Sequence, residues 1–351
     1  MEARCTAAPD RRIRDAGAKE HRRMILAGDI GGTKTAVALF ARRRGRLEPV
    51  AQQRVKSREF RSLEELVERF LREQHASVAT ACFGIAGPVM GGRCEATNLA
   101  WVVDAAALQG RFKFRAVVLL NDLEALAYGI ETLRPSAVAV LNAGTPQPRG
   151  TIAVIAAGTG LGEAALIWDG RRYRAVASEG GHADFAPRTE LEVELWRALR
   201  RALGHVSYER VLSGPGKLAI YEFLKATGRG REPAWLARRL ASGDPTAVVS
   251  EVALEGGNAL CVKAIELFVS IYGAEAGNLA LKLFATGGVY VGGGIAPTML
   301  PKLRDGTFMR AFTDKGRFVS LLATIPVRVI LEERAGLFGA AQYASTMTQA
   351  Q

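Results

Sequence analysis

"MILAGDIGGTKTAVALF", residues 24–40, opens as an apolar run, breaks at Asp29 and the pair Gly31–Gly32, and resumes as a second apolar run. Apolar segments joined by a glycine bend predict strand, turn, strand. Two structures satisfy that pattern. One is a plain hairpin tip; the other is a cradle whose backbone N–H groups and Thr33 hydroxyl face an anion, with glycines clearing the approach. Asp29 bears on the choice. A carboxylate beside a phosphate repels it unless a cation lies between them, and Mg²⁺ held through water supplies that cation. Otherwise Asp29 caps the turn.

A Walker A loop requires Gly-Lys-Ser/Thr leading into a helix, whereas Gly31-Gly32-Thr33-Lys34 leads into another strand-like run. The pattern then recurs. "TIAVIAAGTGLGEAALIW", residues 151–168, is again an apolar run, a Gly/Thr turn and an apolar run. No helix follows its glycines, so a dinucleotide-binding fingerprint is excluded as well. One such hairpin in each half of the chain points to a duplicated domain with a phosphate loop in each copy.

The intervening segments alternate. "SLEELVERFL", residues 62–71, pairs Ser62 with Glu65 as a capping box and spaces Leu63, Leu66, Val67 and Phe70 as one helical face. "ATACFGIAGPV", residues 79–89, and "AVVLLND", residues 116–122, read as strands, and "LEALAYGI", residues 123–130, turns helical. Helices are expected over 190–204, 215–227 and 257–283. "GGVYVGGGIAP", residues 287–297, runs from a strand into a glycine-rich loop, and "AGLFGAAQYAS", residues 335–345, is a helix rich in small residues. Strands alternating with helices in both halves give an α/β architecture with a cleft between two domains.

Composition excludes other classes. With 351 residues, 48% hydrophobic and 23% charged, the chain is long enough for two cores, and no apolar stretch reaches the ~18 residues that would span a bilayer. A soluble protein with no membrane partner is expected. Residues 1–23 lack the apolar segment of a secretory signal and read as a disordered basic tail, with Met24 as an alternative start. Glu2, Asp10, Asp15 and Glu20 argue against a targeting peptide. Cys5, Cys82, Cys94 and Cys261 form no CxxC pair and read as reduced thiols of a cytoplasmic protein. The net charge of +12 is scattered and lacks an aromatic-basic motif, so no specific nucleic-acid partner is expected.

"GDIGGTKT" (28–35), "LLNDLEA" (119–125), "AAGTGLG" (156–162), "EGGHADFAP" (179–187), "GHVSYERVLSGPG" (204–216) and "GGVYVGGGIAP" (287–297) together resemble, in order and spacing, the bacterial glucokinase family. The resemblance covers residues 24–345. It implies a two-domain, actin-like, hexokinase-type ATPase fold with ribonuclease H-like duplicated domains and an interdomain cleft. The expected division is a tail over 1–23, a small α/β domain of 24–133 plus 334–351, and a large α/β domain of 134–333. The implied reaction is ATP-dependent phosphorylation of the 6-hydroxyl of D-glucose, with Mg²⁺, by a cytoplasmic homodimer.

The resemblance also implies residue roles. Asp122 accepts the proton of the sugar hydroxyl. Asn98, Asn121, Glu179, His182 and Glu209 bind the sugar, whose hydroxyls are each donor and acceptor. Gly28, Asp29, Ile30, Gly31, Gly32 and Thr33 hold the β- and γ-phosphates with Mg²⁺. Gly158 and Thr159 reach the phosphates from the other domain, and Gly292, Gly293 and Gly294 lie along adenine or ribose. Plainer roles compete: Asn121 as a helix cap, Glu209 as a surface helix residue, and the triple glycine as a packing turn. His182 corresponds to a zinc ligand in a related kinase and repressor family, but the cysteine cluster of that site is missing nearby, and a structural histidine is the other alternative. His205 is expected to be structural. The competing functions are a kinase for another hexose, a sugar-sensing regulator of the same fold, and an actin-like ATPase acting without sugar.

Overall fold

The computed structural model describes residues 24–97 and 99–347. Asn98, expected among the sugar-binding residues, lies outside them, as does the tail with Cys5. The chain forms two compact units, one running to Thr132 and resuming at Arg334, the other Leu133–Glu333.

The first unit contains β1 (Ile25–Ile30), β2 (Lys34–Arg43), β3 (Arg46–Lys56), β4 (Thr80–Ile85), β5 (Val89–Met90), β6 (Arg93–Glu95), β7 (Val102–Asp104) and β8 (Ala116–Asn121). Its main sheet has the order β3-β2-β1-β4-β8, while β5, β6 and β7 form a small sheet of their own. β1 is antiparallel to β2 and parallel to β4, which is parallel to β8. Both faces of β1 are covered, which is why it reads as a continuous apolar run. Leu26 and Ile30 share a core with Leu63, Leu66, Val67 and Phe70 of the helix Leu63–Glu73. Ile25 and Ala27 pack on the other side with Leu337, Ala340, Ala341 and Ala344 of the helix Ala335–Met347.

The second unit contains β9 (Val138–Asn142), β10 (Ile152–Ala157), β11 (Leu161–Trp168), β12 (Tyr173–Ser178), β13 (Gly288–Gly292) and β14 (Val327–Ile330). Their order is β12-β11-β10-β13-β14-β9. β10 is antiparallel to β11 and parallel to β13. Leaving out the edge strand β9, this repeats the order and strand senses of the first sheet. The duplication visible in two short glycine turns is therefore a duplication of whole sheets.

Helix ends fall where polar caps put them. Glu190–Leu203 starts at Thr189, Gly214–Ala226 at Ser213 and Ala259–Leu283 at Asn258, each side chain accepting a backbone N–H of its first turn. The box expected at Ser62 is only half formed: Ser62 accepts from Glu65 N at 3.3 Å, but the Glu65 carboxylate reaches Arg61 N at 2.8 Å instead of closing on Ser62. Among the described residues Cys82, Cys94 and Cys261 are buried free thiols, and no helix is long and apolar enough to cross a membrane.

Candidate active site

In the first unit the carboxyl ends of the parallel strands β1, β4 and β8 meet along one edge, with Ile30, Ile85 and Asn121 in a single row. The turn after β1 is held from inside. Gly31 N–H donates to Lys34 O at 3.1 Å, Ser57 Oγ donates to Gly31 O at 2.7 Å, and Ser57 N–H donates to Thr33 O at 3.1 Å. With those carbonyls engaged inward, Thr33 stands exposed at the tip. Gly28 has a different reason to be bare: a Cβ there would lie 2.5 Å from the Phe83 ring on the adjacent strand.

Asp29, Ala36 and Arg54 form one row across β1, β2 and β3, so Asp29 and Arg54 share a face of the sheet. Asp29 keeps an accessible edge yet is crowded by protein atoms. Burial pushes its carboxyl up to about 6, and the Arg54 charge partly offsets this. A single carboxylate next to the Gly31–Thr33 turn is a donor set that suits Mg²⁺, which keeps several waters and takes few protein ligands. Among the described residues no three His, Cys, Asp or Glu side chains gather as a metal cluster.

At the end of β8, Asn121 is a helix cap. Its Oδ1 accepts from Leu123 N at 2.9 Å, and Glu124 Oε2 accepts from Asn121 N at 3.0 Å, completing a reciprocal capping box. The amide also does a second job, since its Nδ2 donates to Gly87 O at 3.1 Å and ties the β4 loop to β8. Asp122, the half-buried first residue of the helix Asp122–Ile130, accepts Leu123 N–H at 3.0 Å.

The second unit gathers the remaining candidates. Gly158 N–H donates to Gly160 O and Gly214 N–H to Gly158 O, both at 2.8 Å. Glu209 does not lie on a surface helix: it sits in the single turn Tyr208–Arg210, and its Oε2 accepts Leu161 N–H at 3.1 Å. Gly293 has φ +81°, and a Cβ there would collide with the Ala157 carbonyl, so the triple glycine brings the end of β13 onto the end of β10. The buried Tyr272 hydroxyl accepts Ala157 N–H at 3.2 Å beneath both loops.

Glu179 and His182 are exposed, with His182 Nε2 3.9 Å from Glu179 Oε2. Their turn joins the Glu209 turn through Tyr208 N–H to Ala183 O at 3.0 Å. His205 is also exposed, and its Nε2 hydrogen-bonds Asp184 Oδ1 at 2.8 Å. The candidate residues are divided between the units: the Gly28–Thr33 turn, Asn121 and Asp122 lie in one, and Gly158, Thr159, Glu179, His182, Glu209 and Gly292–Gly294 in the other. Sequence reading missed Ser57, Arg54 and Tyr272, none of which lies in a motif. It also missed Glu163, although an acidic residue inside the apolar run of β11 is a visible signal.

A glucokinase from an Antarctic psychrotroph, 30% identical, matches this structure with a TM-score of 0.80 over 92% of this chain and 99% of its own. The glucokinase of Balamuthia mandrillaris, solved in complex with glucose, matches at 0.76 over 96% and 99% with 19% identity. The class is therefore the two-domain, hexokinase-type α/β fold. The family model "Glucokinase" matches residues 26–347, and the glucokinase of Synechocystis sp. (strain ATCC 27184 / PCC 6803 / Kazusa) is 45% identical over 342 residues, 90% of this chain and 96% of the relative. The chain belongs to the glucokinase family.

Proposed function

We propose that the two sets of residues divide the labour of one reaction, transfer of the γ-phosphoryl group of ATP to the 6-hydroxyl of D-glucose. The bond from phosphorus to the leaving ADP oxygen breaks as the bond to the sugar oxygen forms, and the hydroxyl proton passes to the Asp122 carboxylate. Because the transition state is loose, the proton leaves late, and the acceptor need not be a strong base. Asn98, Asn121, Glu179, His182 and Glu209 orient the sugar, with carboxylates accepting from its hydroxyls and amides donating to them. The amides of Gly32, Thr33 and Thr159 face the phosphates, with Gly31 and Gly158 shaping their turns through internal hydrogen bonds, and Gly292–Gly294 leave room for adenine or ribose. Asp29 would hold Mg²⁺ through water, and the bound ion neutralises phosphate charge. Assembly as a cytoplasmic homodimer belongs to the same proposal.

The observation that carries this reading is the placement of Asp122: first residue of a capped helix, at the same sheet edge as the glycine turn, in a chain matched by the family model over residues 26–347. Purified full-length protein with Mg-ATP and glucose is expected to form glucose 6-phosphate and ADP in equal amounts. If neither glucose nor any close hexose is phosphorylated, the proposal is wrong. Light scattering at working concentration tests the dimer.

A further inference from the structure

A carboxyl pair lies buried beneath the Glu179–His182 turn. Glu163, third residue of β11, is 1% exposed, and Glu275, on the helix Ala259–Leu283, is wholly buried. The two carboxyls hydrogen-bond to each other. Glu163 Oε1 has no hydrogen-bond partner among the described residues, while Oε2 occupies the space a Cβ on Gly180 would need. Glu275 accepts from Asn278 Nδ2 at 2.8 Å and from Lys282 Nζ at 3.3 Å. It also hydrogen-bonds the Tyr208 hydroxyl, next to Glu209. Asn278 in turn contacts Tyr208 Oη at 2.9 Å and Lys315 Nζ at 2.6 Å. The network therefore supports both turns that carry sugar candidates.

Two buried carboxylates in hydrogen-bond contact do not both ionise, even with the Lys282 ammonium on Glu275 and the Lys315 charge acting on it from beyond Asn278. We propose that Glu163 and Glu275 share a single proton, and that this protonated pair holds the Glu179–His182 turn in its sugar-binding geometry, making Glu163 a positioning residue. This rests on the assignment of Glu179 and His182 to the sugar. Around Glu163 stand Glu275, Lys282 and Tyr272 of the long helix, Tyr208 of the neighbouring turn, Lys315 through Asn278, and Glu179 and His182 of the turn above. Burial first, and the Glu275 charge second, push the Glu163 carboxyl up to about 8, against the pull of Lys282. Loss of the proton would leave two anions under Gly180, one with an oxygen to which nothing among the described residues donates, and the turn must shift or admit water to relieve them.

The test is the glucose Kd of the full chain by calorimetry at pH 7 and pH 9, beside KM and kcat at the same pH values. For a group titrating near 8 whose protonated form binds sugar, Kd and KM rise about tenfold between those values while kcat holds within about twofold. Glu163→Gln keeps the shape and a donor but does not titrate, so its Kd is expected to be flat. Glu275→Gln removes the second charge but leaves Glu163 buried, so the rise is expected to move to lower pH, and this variant decides the matter if Glu163→Gln does not fold. A flat wild-type Kd, or the wild-type rise persisting in the variants, overturns the inference alone. Absence of glucose binding at both pH values overturns the assignment of the sugar site on which it rests.

Discussion

Glu163 makes stability, as well as binding, depend on pH. Its carboxyl holds a proton in the folded protein up to about 8, while in the unfolded chain it ionises near its ordinary value of 4.5. Between those values the folded state binds more protons, so the contribution falls as pH rises from about 4.5 to 8 and levels off above. Urea unfolding at pH 6 and pH 8 is expected to show wild type losing stability relative to Glu163→Gln as pH rises; a difference independent of pH would contradict it. Glu163 was hard to read from sequence because a charged residue in an apolar strand marks an anomaly without naming its partner, which lies more than 100 positions away. Asp122 and Asp29 stood out as candidates because each interrupts an apolar pattern, Asp122 just after β8 and Asp29 one residue before the end of β1. Ser57 did not, since its bonds to the Gly31 and Thr33 carbonyls depend on the path of β3.

Among elements, the two glycine hairpins were legible because continuous apolar runs flank a bend that only small residues allow, and the helices because their caps and spacing agree. What sequence could not give was how closely helices approach. Gly339 lies so near the Ala125 carbonyl, and Gly129 so near the Ala335 carbonyl, that the helices Asp122–Ile130 and Ala335–Met347 touch backbone to backbone. Gly339→Leu is expected to separate them at a cost of about 3 kcal/mol or more, by overpacking. Because Asp122 begins one of these helices, kcat should fall along with the unfolding midpoint. A variant with unchanged stability and turnover would show that this contact is not needed.

For the whole molecule, the chain leaves the first unit at Thr132 and returns to it at Arg334, so the last helix completes a core begun by β1. The main core of the second unit draws only on residues from Ala139 to Val329. Truncation before Arg334 is therefore expected to open the first unit to protease while a fragment from Leu133 to Glu333 persists; simultaneous loss of both would mean that the units do not fold separately. The repeated sheet order was foreshadowed by the two turns, but the extra edge strand β9 was not, because its short, partly exposed sequence carries no comparable pattern. The account depends most on Asp122 as the group that takes the proton. Steady-state turnover of Asp122→Asn, with its glucose Kd measured alongside, is the most direct measurement: kcat is expected to fall by about 100-fold or more with Kd within a few-fold of wild type, and near-normal turnover in that variant would contradict the mechanism.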